Sequence, residues 1–249
     1  MTTRSLAETS RRNQGRFTLH PECADVKPMP QTEQNEAPAS ATFLNLPEEK
    51  QQRVYRAALH EFAAHGFGSA SSNRIARALG IAKGSLFQYF GNKERLFHYV
   101  FDRVTGQFAE PLRTVREATH DAPLGARIRA ALLAVSSFLD THPEVYRLYT
   151  RMLFQESFPL REKLLSQIRS LSTKYWRSLV EDAKFRGELR QDVDTEAAVF
   201  FIDALMDRFF QARTLPYMDT GFGLHDDSRL DSCIDALVSC IERGLTKPC

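Results

Sequence analysis

The sequence predicts an all-α protein, with an N-terminal helix-turn-helix three-helix domain followed by a larger helical domain. Three observations carry that prediction. Apolar residues recur at helical spacing from Asn45 nearly to the end, strand-like alternation never persists, and Gly and Pro fall between the periodic segments. With 43% hydrophobic and 26% charged residues, the chain has the composition of an ordinary globular protein, neither fibrous nor membrane-embedded. No apolar run reaches transmembrane length, and the N-terminus, although it holds Arg4, Arg11 and Arg12, lacks the hydrophobic region of a secretory signal. A cytoplasmic protein is expected.

Residues 1–41 are rich in Ser, Thr, Gln, Pro and Glu and almost free of periodic apolar residues, so this stretch is expected to be a disordered extension. A start at Met29 would leave the folded part whole, and the basic residues from Arg4 to Arg16 form a candidate DNA-touching arm. The first helix opens at NLPEEK, with Pro47 in the first turn and Glu48 and Glu49 at the positive end of the dipole. Val54, Ala58 and Phe62 form its core stripe, and Gly66 stops it. A short second helix from Ser71 carries Ile75 and Leu79 and ends at Gly80. The third is the segment from Lys83 to Phe90, and the fourth begins at the N-cap Asn92 with Leu96, Val100 and Val104 on one side.

Two short helices joined by a Gly-containing turn describe a helix-turn-helix, whose second helix enters the major groove. At about 100° per residue Leu86 and Phe90 share one side, which packs inward, while Gly84, Ser85, Gln88 and Tyr89 cover the other. Gly84 permits close backbone approach, Gln88 can pair with adenine, Lys83 can donate to guanine or to a phosphate, and Phe87 can meet a thymine methyl. Ser85, Tyr89 and Lys93 suit phosphates. Charge agrees: residues 47–103 hold nine basic and five acidic groups, a balance of +4, whereas residues 1–46 are neutral and residues 104–249, with 19 basic and 21 acidic groups, carry −2.

The run AALHEFAAHGFGSASSNRIARALGIAKGSLFQYFGNKERLF resembles the DNA-binding domain of the tetracycline-repressor (TetR/AcrR) family of bacterial regulators. The resemblance covers roughly residues 45–104 and rests on Ala58, Phe62, Gly66, Phe67, Ile75, Ala76, Gly80, Lys83, Gly84, Ser85, Leu86, Tyr89, Phe90, Lys93, Glu94 and Leu96. It implies base contacts at Asn73, Lys83, Gly84, Phe87 and Gln88, and phosphate contacts at Ser71, Ser72, Ser85, Tyr89 and Lys93. It further implies a homodimer, with a DNA-binding domain over residues 42–104 and a ligand-binding and dimerisation domain over residues 105–249. Three positions depart from the family pattern. Ala82 stands where a capping Ser is usual, Phe87 replaces a Tyr, and Arg74 occupies the place of the acidic residue that would complete a capping box after Ser71.

Beyond Val104 the helices are generic. Leu124, Ile128, Leu132, Val135 and Leu139 form one stripe that stops before Pro143; PEVYRLYTRMLFQESF follows, then a long helix from Pro159 to about Arg186. Asp194 caps the next, TEAAVFFIDALMDRFFQART, and the last runs from Ser228 to Arg243. Tyr146, Tyr149, Met152, Phe154, Phe158 and Trp176 are candidates to line an apolar pocket for a small hydrophobic or aromatic effector. The last two helices are assigned to the dimer through Phe201, Leu205, Arg208, Phe209, Ile234, Leu237, Val238 and Ile241, because the former is apolar on more than one side.

Asp203 and Asp207 sit one turn apart without a suitably spaced His, so pairing with Arg208 or Arg213 across the interface is expected rather than a metal. Cys233 and Cys240 read as buried small apolar residues, and with Cys23 and Cys249 they show no metal or disulfide spacing. No cofactor is expected. Ser-His-Asp order, a phosphate loop, Rossmann glycines and a His-x-x-x-His pair are all lacking, which argues against an enzyme. The expected function is a ligand-responsive repressor, dimeric on a pseudo-palindromic double-stranded operator in the nucleoid. The alternative is an architectural DNA-binding protein that controls a non-transcriptional protein partner.

Overall fold

The structure, a computed structural model, describes residues 38–154, 158 and 161–246. Most of the expected extension, and with it the arm from Arg4 to Arg16, Met29 and Cys23, lies outside the described residues, as does Cys249. Among the described residues every regular element is helical, and the sole β-type contact is an isolated antiparallel bridge between Leu189 and Thr246. Among the described residues no helix is long and apolar enough to cross a membrane.

The first element departs from the expectation. The short helix α1 (Ala41–Leu44) is capped by the Ser40 side chain, which accepts from the Phe43 N–H. Ala39 and Phe43 are buried, and the Ser40 N–H donates to the Tyr89 carbonyl at 2.8 Å. The expected disordered stretch therefore reaches too far: residues 38–41 belong to the folded unit. A single aromatic is responsible. Phe43 packs against Phe90, Tyr99 and Tyr89 with ring centroids 4.7, 5.1 and 5.5 Å away, beneath the third expected helix.

Helix α2 (Glu48–Ser69) buries Val54, Tyr55, Ala58, Leu59 and Phe62 and is broken at Gly66, whose φ of 70° suits only glycine without strain. Helix α3 (Ser72–Leu79) ends at Gly80 in the left-handed conformation, and α4 (Lys83–Phe90) follows after a tight turn. Helix α5 (Lys93–Ala118) opens on the Asn92 cap and continues well past Val104, through Gly106 and Pro111. Val104, Phe108, Leu112 and Val115 prolong its apolar stripe against the core, and their burial outweighs the backbone bond that Pro111 removes. A border at residue 104 falls inside one continuous helix.

The remaining helices are α6 (Leu124–Thr141), α7 (Pro143–Phe154), α8 (Arg161–Phe185), α9 (Thr195–Thr214) and α10 (Asp227–Leu245). Helix α6 feeds two cores. Val135, Phe138 and Leu139 join the core of the helix-turn-helix together with Val145 and Met152 of α7, while Leu124, Ile128 and Leu132 pack with α8, α9 and α10. The N-terminal helices are thus fused to α6 and α7 rather than hung from a linker.

Candidate nucleic-acid interface and effector cavity

Packing decides which arc of α4 is available. Leu86 and Phe90 are buried, and the half-buried Ser85 and Tyr89 flank them. Lys83, Gly84, Phe87 and Gln88 are exposed, and so is Asn73 on α3; Phe87, a large apolar ring, is 68% exposed. Among the described residues, its own helix backbone apart, nothing lies within 4 Å of where a Gly84 Cβ would stand, so their packing does not require a glycine there. The Ala82 cap makes no side-chain hydrogen bond, leaving the first N–H groups of α4 directed outward.

The N-terminus of α3 is held by a residue that sequence reading overlooked. Glu61, a buried carboxylate on α2, accepts the Ser71 N–H at 2.7 Å, and Arg74 Nε and Nη2 at 2.9 and 2.5 Å. The Ser71 side chain accepts the Arg74 N–H in turn. The missing acid of the capping box is supplied from the neighbouring helix, with Arg74 as its clamp. Burial alone would raise the Glu61 pKa, but the hydrogen bonds from Arg74 and Ser71 outweigh it and hold the carboxyl below its ordinary value. Ser71 and Ser72 are half-buried at this junction.

Lys93 is corrected. Its ammonium donates to the carbonyls of Phe67, Gly68 and Ala70 at 2.8, 3.3 and 3.1 Å and lies 4.5 Å from the Phe67 ring centroid. All three donors are matched to the C-terminal carbonyls of α2, where a cation also meets the negative end of the dipole. It braces α2 against α5 and is not directed at a phosphate. Arg53 caps α3 in the same manner through the Leu79 carbonyl.

Behind this head, α5 to α9 line a partly open cavity of about 390 Å³, within the range of small-molecule sites. Tyr146, Tyr149, Met152 and Trp176 line it, with apolar side chains from α5 and α6. Two expected lining residues do not. Phe154 is 73% exposed, and Phe158 packs between Phe67 and Phe97, away from the cavity lining. Local apolar spacing could not tell those destinations apart. One wall is polar: Arg169 of α8 donates to Asp203 at 3.0 Å and to Asp207 at 2.7 Å, Tyr149 accepts from Arg169, and Ser172 donates to Asp203. The two aspartates thus pair within the chain, not with Arg208 or Arg213. Arg213 is buried with Asp140 and Asp227 at 2.7 and 2.6 Å, and Arg208 reaches the Met218 carbonyl. Burial raises the Tyr149 pKa, with the Asp207 charge adding to it and Arg169 opposing it.

The expected dimer surface divides. Phe209, Ile234, Val238 and Ile241 are buried in the chain's own core, so they present nothing to a partner. Phe201 and Arg208 are exposed, Leu205 and Leu237 half-buried, and Phe200, beside Phe201, is 76% exposed. Cys233 is buried as expected, but Cys240 is exposed because it faces away from the α10 core stripe.

A helix-turn-helix with an exposed recognition arc, fused to a helical domain with an internal cavity, defines a DNA-binding transcriptional regulator. The family described as bacterial regulatory proteins, tetR family, matches over residues 54–100. The HTH-type transcriptional repressor AcnR of Corynebacterium efficiens is 25% identical over 168 residues, 66% of this chain and 81% of that protein. A TetR family transcriptional regulator from Chloroflexus aurantiacus shares the fold with a TM-score of 0.63 and 27% identity, over 84% of this chain and 99% of the other. The regulator FadR from Bacillus subtilis, solved in complex with stearoyl-CoA, is 20% identical with a TM-score of 0.60, over 76% of this chain and 97% of its own. Residues 54–100 thus match the tetR family of transcriptional regulators, and the fold of the helices beyond them is similar to that of the solved Chloroflexus regulator.

Proposed function

We propose that the protein is a homodimeric repressor that releases a pseudo-palindromic operator when a small molecule fills the cavity. The observation that carries this reading is the double duty of α7. One side of it lines the cavity through Tyr146, Tyr149 and Met152. The other grips the DNA-binding head: Glu144 pairs with His60 at 2.8 Å, and Arg151 donates to the Ala64 carbonyl at 2.8 Å. An occupant that shifts α7 shifts α2, and with it α3 and α4, so binding at one site biases the geometry of the other.

The exposed side chains of α4 and α3 supply the base contacts in this reading, namely Lys83, Gly84, Phe87, Gln88 and Asn73. Ser71, Ser72, Ser85 and Tyr89 take the phosphates. The exposed Phe200 and Phe201, with Leu205, Arg208 and Leu237, form the dimer surface, and two recognition helices about 34 Å apart fit successive major grooves. Repression follows the activity named for AcnR, and the stearoyl-CoA bound to FadR is a precedent on this fold for a cavity occupant.

The test is a gel-shift and footprinting series on the DNA upstream of the protein's own gene and its neighbours, against random DNA, across salt concentrations. A two-fold symmetric footprint with strong preference over random DNA supports the reading. Equal affinity for both DNAs at every salt concentration refutes it.

A further inference from the structure

We infer that the cavity is built for an effector carrying a positive charge on an apolar body, with that charge seated against Asp203 and Asp207. The inference rests on the effector-responsive reading and narrows its chemistry. Around Arg169 the polar wall holds two carboxylates against one guanidinium, a local excess of one negative charge, while the other charged lining residues are exposed.

Both terminal nitrogens of Arg169 are already engaged by carboxylates. Its Nη1 is 3.0 Å from Asp203, and its Nη2 is 2.6 Å from Asp207 and also donates to Tyr149. An anion that took Arg169 would deprive both aspartates of their guanidinium, and Asp203, the more buried of the two, would bear most of that cost. A cation compensates the excess without breaking any existing bond. The rings of Tyr146, Tyr149 and Trp176 in the same lining add a favourable surface for it.

Three cations also line the cavity: Arg113, Arg116 and Lys174. All three are exposed, and Arg113 is paired with Glu110 at 2.7 Å, so solvent screens their field. They would favour an anionic head at the rim, as for a coenzyme A thioester, and the experiment separates the two arrangements.

Calorimetric titration of the full-length protein with tetraphenylphosphonium and with tetraphenylborate, ions of one shape and opposite charge, reads the preference directly. The cation is expected to bind at least about tenfold tighter, a difference of about 1.4 kcal/mol. Asp203→Asn brings the wall to neutrality and should remove most of that preference, and Asp203→Asn with Asp207→Asn should invert it. Should the double variant fail to fold, the single variant still decides.

Equal or tighter binding of tetraphenylborate by the unaltered protein overturns the inference. So does a preference that Asp203→Asn leaves unchanged, or an absence of binding by either ion. Operator release is measured separately. Cation binding without release leaves the assignment of the wall standing and removes the effector reading.

Discussion

Replacing Glu61 with Ala should destabilise the protein by about 1–2 kcal/mol, the lower part of the range for an orphaned buried polar group. The magnitude follows from what the carboxylate holds. It is 6% exposed and accepts the Ser71 N–H at 2.7 Å, so its loss leaves that N–H without a partner at the start of α3. Arg74 also loses its acceptor but is half-exposed and rehydrates, which keeps the cost from the upper end. Urea unfolding at neutral pH measures the difference, and Glu61→Gln, which keeps an acceptor for Ser71, should lose less. Because the folded pKa of Glu61 lies below its ordinary 4.5, its stabilisation is complete above that pH and fades as pH falls through the folded value. The gap between the native protein and Glu61→Gln should therefore close on acidification. Identical stability of native protein and Glu61→Ala at neutral pH would refute the assignment of Glu61 as the cap of α3.

Phe43→Ala should cost about 3–5 kcal/mol, because a fully buried ring at the junction of α4 and α5 is removed; unfolding free energies check it. Gly84→Ala should raise helix stability by up to about 1 kcal/mol while weakening operator binding, since only an external surface can object to the new methyl; melting and gel shift read the two effects apart. Lys93→Ala should lower thermal stability and leave the salt slope of DNA binding unchanged, the reverse of a phosphate contact. Phe201→Asp should shift sedimentation from dimer to monomer with the helical content retained.

The helix-turn-helix was legible because its signals are local. Gly66, Gly80 and the Asn92 cap mark boundaries by backbone conformation, and the stripe of Leu86 and Phe90 shows which side of α4 turns inward. The cavity was half legible. Tyr146, Tyr149, Met152 and Trp176 line it, but Phe154 and Phe158 share their composition and end elsewhere. A pattern of apolar spacing does not say which apolar residue stays exposed, as Phe154 does, or which neighbours a buried one meets. The dimer surface was misjudged for the same reason: Ile234 and Ile241 are apolar because their own chain encloses them.

What the order of residues settles alone is where helices begin, where they break and which stripe is apolar, since caps, glycines and 3.6-residue periodicity act within a few positions. What only the folded chain decides is partnership across long separations. Glu61 completes a cap missing ten residues away, Lys93 turns to the end of α2, Arg169 takes both aspartates, and Phe43, just ahead of the first expected helix, enters the core beneath α4. A charged or aromatic side chain is free to satisfy itself against any neighbour that packing brings within reach, and that neighbour is set by the arrangement of helices rather than by local spacing.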